Sequence, residues 1–358
     1  MKIDRIIIAA FAVLAINACS DDEEPFIAPP VESAIIDAQV GGETQPNQVY
    51  IDLSSEVTKA VPRNSYDLSF YSGDQFRVVL NNSTSSLALA LDANDLNDIS
   101  AADTTGLAAQ LDVNAIFGAL FGPPPSWLAD AATWMDDPSG DITKTAIAEV
   151  SATAEENNVY ILNRGNNPDG SNIGWKKIRV IRSGNGYQLQ HADIGATSFE
   201  TLDIPKNSNL QFVQMNFESG IVEATPSASQ WDLAFTTYTN LLAVGPGTNI
   251  PYSFKDFVIT NAAQVQVSSV STDNISYEDF TSNDLAALTF SNDINGIGST
   301  WRSVAQPNSE QQTGVVEDIF YVIKDATGNT YKVKFTRMLN PQTGERGYPQ
   351  LQYDLISE

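Results

Sequence analysis

Five short blocks recur in the same order in the two halves of this chain. Ile51-Asp52-Leu53-Ser54-Ser55 is answered by Met215-Asn216-Phe217-Glu218-Ser219, and Tyr66-Asp67-Leu68-Ser69-Phe70 by Trp231-Asp232-Leu233-Ala234-Phe235. Farther on, Val159-Tyr160-Ile161-Leu162 is answered by Phe320-Tyr321-Val322-Ile323, and Lys176-Lys177-Ile178-Arg179-Val180 by Tyr331-Lys332-Val333-Lys334-Phe335. Gly186-Tyr187 with Leu189-Gln190 closes the first half as Gly347-Tyr348 with Leu351-Gln352 closes the second. A single match would be chance. An ordered series with slowly drifting offsets is what two diverged copies with insertions leave behind. The seam falls near 198–209, where Pro205, Asn207 and Asn209 make a polar break. The expected modules are 36–198 and 199–358.

The blocks have the period of strands. Tyr331, Val333 and Phe335 alternate with Lys332 and Lys334, and Ile178 and Val180 with Lys177 and Arg179. Such alternation puts one face on a core and the other in water, as in antiparallel sheets. Turn sequences stand between them: Asn167-Pro168-Asp169-Gly170, Ser183-Gly184-Asn185-Gly186, Thr327-Gly328-Asn329 and Asn340-Pro341-Gln342-Thr343-Gly344. Helix is confined to 107–121, with an apolar stripe at Leu107, Leu111, Ile116 and Leu120, and to a shorter counterpart at 283–288. The expected fold class is all-β: two tandem antiparallel β-sheet modules with few short helices.

Composition narrows the chemistry. The chain has 44 Asp and Glu against 19 Lys and Arg, a net charge of −25. A polyanion such as nucleic acid is therefore excluded as a natural partner. One His and one Cys occur in 358 residues, so there is no zinc site of Cys and His and no intrachain disulfide. A single imidazole, His191, leaves little acid–base chemistry near neutral pH, and no enzyme is expected.

The lone cysteine has a telling place. Residues 1–18 read as a signal peptide, with Lys2 and Arg5 before an apolar run from Ile6 to Ile16. Ile16-Asn17-Ala18-Cys19 resembles the lipobox of bacterial lipoproteins, in which the Cys is lipidated and becomes the first residue. The run Ser20-Asp21-Asp22-Glu23-Glu24 resembles the surface-export signal of Bacteroidota lipoproteins. Residues 19–35, with Pro25, Pro29 and Pro30, read as an acidic, Pro-rich tether. The expected location is the outer membrane, lipid-anchored and exposed at the cell surface.

The repeated blocks themselves resemble a known family. Arg63-Asn64-Ser65-Tyr66-Asp67-Leu68-Ser69-Phe70-Tyr71-Ser72-Gly73, Phe76-Arg77-Val78-Val79-Leu80, Gly174-Trp175-Lys176-Lys177-Ile178-Arg179 and Gly347-Tyr348-Pro349-Gln350-Leu351-Gln352-Tyr353 are similar to the HmuY family of haem-binding surface lipoproteins, here as two tandem copies. The resemblance implies an all-β frame, haem capture outside the cell, and delivery to an outer-membrane haem transporter. It also implies iron held by two side chains, His or Met. This chain departs from the pattern: one His cannot make a two-His site, and 301–312 contains neither His nor Met.

The candidate ligands are Met135 and His191, with Met215, Met338 and the tyrosines behind them. Met135 follows Trp134 on an insert without a counterpart in the second repeat, where a Trp-Met pair could clamp a macrocycle or, with Trp127, plug a hydrophobic gap. His191 answers to Tyr353 and Met215 to Ile51, positions of ordinary strand residues. Asp137 to Asp141 lacks the glycine and closing glutamate of an EF-hand and reads as a turn. The alternative to haem capture is a non-haem interaction or glycan-binding surface lipoprotein that kept the fold and lost the iron ligands. In it Trp231 and Trp301 line a sugar site or serve the core.

Overall fold

The computed structural model describes residues 29–306, 308 and 310–357. The signal peptide, Cys19 and the acidic start of the tether lie outside the described residues.

The first strands are β1 (Ser33–Asp37), β2 (Asn47–Asp52), β3 (Val57–Pro62), β4 (Leu68–Tyr71), β5 (Val78–Leu80) and β6 (Leu87–Ala90). After a long non-strand segment come β7 (Tyr160–Asn163), β8 (Trp175–Ser183), β9 (Gly186–Asp193), β10 (Glu200–Ile204), β11 (Phe212–Asn216) and β12 (Gly220–Val222). The last are β13 (Leu233–Gly245), β14 (Thr248–Thr260), β15 (Gln266–Ser271), β16 (Arg302–Ser303), β17 (Gly314–Val315), β18 (Ile319–Lys324), β19 (Thr330–Leu339) and β20 (Arg346–Ser357). The all-β expectation holds, and the pairing between these strands is antiparallel.

Four large sheets form two like pairs. Sheet I runs β10-β9-β8-β7-β6 and sheet II runs β1-β20-β19-β18-β15. Sheet III runs β12-β11-β4-β5 and sheet IV runs β3-β2-β13-β14. Leu68, Phe70, Tyr160, Leu162, Val180, Leu189 and Met215 fill the space between sheets I and III. Ile51, Leu233, Tyr321, Val333, Phe335 and Tyr353 fill the corresponding space between II and IV, with Trp301 among them. Each unit is thus a two-sheet sandwich around its own core.

The strand pairing follows a partition other than 36–198 and 199–358. β10 continues sheet I as a hairpin partner of β9, with Glu200 opposite His191 and Ile204 opposite Tyr187, so the sheet passes through residue 198 unbroken. β11 pairs with β4, whereas β2 pairs with β13 and β1 with β20. One unit is therefore the continuous stretch 66–222. The other is built from 231–357 and closed by the N-terminal strands of 33–62. The polar residues near 205–209 turn the chain between two sheets of one unit, which is why they mark no boundary.

Matching positions carry matching contacts across the two units. The Asp67 carboxylate accepts from the Phe217 N–H at 2.9 Å, and the Asp232 carboxylate from the Leu53 N–H at 2.7 Å. Asn81 Nδ2 donates to the carbonyls of Arg63 and Tyr66, where one unit hands over to the other, and Asn261 Nδ2 does the same for Ala228 and Trp231. Gly186 and Gly347 open the last repeated block. A Cβ there would stand 2.5 Å from the Ile204 carbonyl oxygen and 2.0 Å from that of Gly42. Both neighbours belong to the segment docking on that strand, and only glycine lets it come so close.

Two sequence expectations are corrected. The stretch 107–121 is not one helix: α1 spans only Val113–Gly118, flanked by 3-10 turns. Asp112 caps it at the Asn114 and Ala115 N–H groups, and Gly118 and Gly122 before Pro123 break the run. Two of the alternating lysines, one on β8 and one on β19, are also not turned to water. Lys177 is 1% exposed and its Nζ donates to the carbonyls of Leu96, Ile99 and Ala196 at 2.8, 2.7 and 2.8 Å. Lys332, 9% exposed, donates to the carbonyls of Tyr277 and Phe280 at 2.7 and 3.1 Å. A capping box follows each docked segment, Ser100 with Asp103 and Thr281 with Asp284. These coverings bury the outer sheet faces at Lys177 and Lys332, which become internal ties, while Lys334 stays at the surface, paired with Glu278. No helix among the described residues is long and apolar enough to cross a membrane.

Candidate functional site at the junction of the two units

Sheets III and IV turn their remaining faces toward each other. On β2, Val49 and Ile51 enter one core, so Gln48 and Tyr50 point the other way. On β11, Val213 and Met215 enter the other core, which sends Phe212 and Gln214 outward. Tyr66 and Trp231, aligned in the repeats, stand at the two chain crossings. Together with Tyr238 of β13 these residues wall a cavity of about 200 Å³. Tyr50 and Trp231 meet edge to face with ring centres 5.1 Å apart. The exposed Gly140 and Gln211 form part of the lining, and there the cavity reaches the surface.

The insert of the first unit supplies the remaining wall. Trp134 and Met135 turn into the outer core over sheet I, with Leu87, Ile161 and Ala192. The next residue, Asp136, turns the other way and lines the cavity. Its carboxyl is 6% exposed and accepts from the backbone N–H groups of Leu80 and Ala146 at 2.7 and 2.9 Å. Burial pushes it up to about 7, against the pull of those two hydrogen bonds. Asp137 to Asp141 is the turn read from the sequence: Asp137 Oδ1 accepts from the Ser139 N–H and hydroxyl at 2.9 and 2.6 Å. Asp136 escaped the sequence reading. Its only signal was a polar residue directly after two large apolar ones, at the point where the chain must change faces.

The ligands proposed from the sequence are not brought together. His191 lies on β9 on the same face as Tyr187 and Leu189, which belong to the inner core. Its ring centre is 5.1 Å from that of Phe217, and burial lowers its pKa. Met135 packs with Ala192 on the opposite face of the same sheet. Met215 and Met338 lie in the two inner cores, 0% and 1% exposed. The three methionines thus occupy three separate cores, and the residues lining the cavity include no His, Met or Cys. Tyr50, Tyr66 and Tyr238 do line it, but burial raises all three phenols, Tyr50 to about 12, which disfavours the phenolate a metal would need. At about 200 Å³ the space is below the roughly 300–1,000 Å³ of ordinary small-molecule pockets. These residues do not fit a haem held by two axial side chains. Trp301, a candidate for a sugar site, is fully buried and stacks on Phe335 at 4.6 Å. It is a core residue.

The HmuY protein family model matches residues 198–353. That span takes in β10 to β12, paired in the first unit, as well as most of the second. No curated protein matches the chain. Among solved structures, apo PinO from Porphyromonas gingivitis is similar at 14% identity over 48% of this chain and 91% of that one, with a TM-score of 0.18.

Proposed function

We propose that this chain is a lipid-anchored surface protein that binds rather than catalyses, on an HmuY-like frame without that family's iron ligation. The observation that carries the reading is the junction cavity, walled by aromatic side chains from both units, while Met135 and His191 face opposite sides of sheet I. Cys19 is the anchor and the acidic residues after it the export signal. The second reading is haem capture with delivery to an outer-membrane haem transporter, and the family match over 198–353 favours it.

A haemin titration of the purified mature protein separates the two. The expected result, in ferric and ferrous states alike, is only a weak, non-saturating change in the Soret band, the same for Met135→Ala and His191→Ala. A saturable shift at one haem per chain, lost in either variant, would establish haem capture and sink the first reading.

A further inference from the structure

The lining of the junction cavity has one sign of charge. Five aromatic side chains from five places in the chain line it: Tyr50, Tyr66, Phe212, Trp231 and Tyr238. The ionisable groups facing Asp136 are the phenols of Tyr66 and Tyr238, with Asp137 and Asp293 beyond Tyr238. No Lys, Arg or His lines the cavity. Two cations stand behind the lining: the guanidinium of Arg63 is spent on the backbone carbonyls of Gln45 and Ser83, and Lys144 has a side chain that is 66% exposed. Lys144 pairs with Asp141 at 2.9 Å and reaches Asp137 at 3.8 Å, leaving Asp136 to backbone N–H groups alone. Such a site repels an anion. A cation there gains from the negative ring faces and from the carboxyl at once, in a space mostly shielded from water.

We propose that the junction cavity binds a small organic cation, an amine or quaternary ammonium, held among Tyr50, Tyr66, Trp231 and Tyr238 and against Asp136. The inference rests on the reading of the cavity as the binding site. A cavity of about 200 Å³, small beside ordinary ligand pockets, suits a compact ammonium compound better than a macrocycle. Binding is linked to protons. Asp136 is held neutral up to about 7 in the free protein, and a cation beside it favours the ionised form. Below that pH, binding must release a proton, so affinity climbs as pH rises toward 7 and levels off above it.

The test is calorimetric titration of the mature protein, with Trp fluorescence as a second readout, at pH 5.5 and pH 8. The probes are choline, its uncharged carbon isostere 3,3-dimethylbutan-1-ol, and methyl glucoside. Choline is expected to bind at least tenfold more tightly than the isostere at pH 8 and about tenfold more weakly at pH 5.5 than at pH 8. Asp136→Asn should remove the pH dependence. If that variant does not fold, the wild-type pH profile alone decides. Equal binding of choline and the isostere, preference for the glucoside, a flat pH profile, or no binding of choline each overturns the cation assignment. Saturable haemin binding in the separate titration overturns the reading beneath it, so the two failures are distinguishable.

Discussion

A chain trimmed to residues 226–358 is expected to lack fixed tertiary structure at 25 °C. A chain in which a short Gly-rich link and residues 33–62 follow Ser357 is expected to regain it. Without the N-terminal strands, β13 loses its neighbour β2 and β20 loses β1. Ile36, Ala38, Val40, Val49, Ile51 and Leu53 vanish from the core between sheets II and IV. At roughly 1.5–3 kcal/mol for each larger side chain the loss is on the order of 10 kcal/mol. Domains hold only about 5–15 kcal/mol in all. Asp232 would also lose the Leu53 N–H, its hydrogen-bond donor from the missing segment. The rearranged chain is sterically simple, because Ser33 lies opposite Asp354 near the end of β20, so the link closes an ordinary hairpin like that of β9 and β10. Circular dichroism and amide dispersion in NMR read the outcome. A cooperative melt of 226–358 alone would show that the N-terminal strands are dispensable.

Lys177→Met is expected to cost about 3–5 kcal/mol in urea unfolding with an unchanged slope. The ammonium sits at 1% exposure on three carbonyls, those of Leu96, Ile99 and Ala196. A hydrogen bond from a charged donor contributes about 1.5–3 kcal/mol, and a buried carbonyl left without one costs about 1–3 kcal/mol. Methionine replaces the apolar stem as far as Cε and omits the ammonium, so most of the effect reports the polar tie rather than packing. Lys332→Met, with two carbonyls and greater exposure, should lose less. A cost under about 1 kcal/mol for Lys177→Met would mean that the segment over sheet I is held by its apolar contacts alone.

Much of the frame was legible. Period-two alternation and turn residues located the strands of the repeated blocks, such as β8 and β19, because both are local signals. Aligned blocks equated Met215 with Ile51, which hold equivalent places in the sheets, and Tyr66 with Trp231, each two residues ahead of the strand that pairs there. The exchange of β1 to β3 was not legible, because hydrophobic pattern fixes which face of a strand is buried and is silent on which distant strand lies beside it. For the same reason Lys177 read as a solvent-facing residue. Alternation reports a second face, and only the fold reveals what covers it. The cavity was half visible: Trp231 and Tyr66 stood out as aligned aromatics, while Asp136 was hidden among 44 acidic residues whose burial no count can tell apart.

The N-terminal closure also sets an order in time. Chains leave the ribosome or an export channel from their first residue onward. The stretch 66–222 contains all the strands of its unit and can complete itself once β12 is out. The strands of 33–62, though made first, have no partner until β13 and β20 have followed, so the second unit is finished only by the last residues of the chain. The N-terminal strands cannot pair in sheets II and IV before β13 and β20 have been made. A product cut short before β20 leaves β1 without its partner edge, an exposed flaw that proteases can recognise.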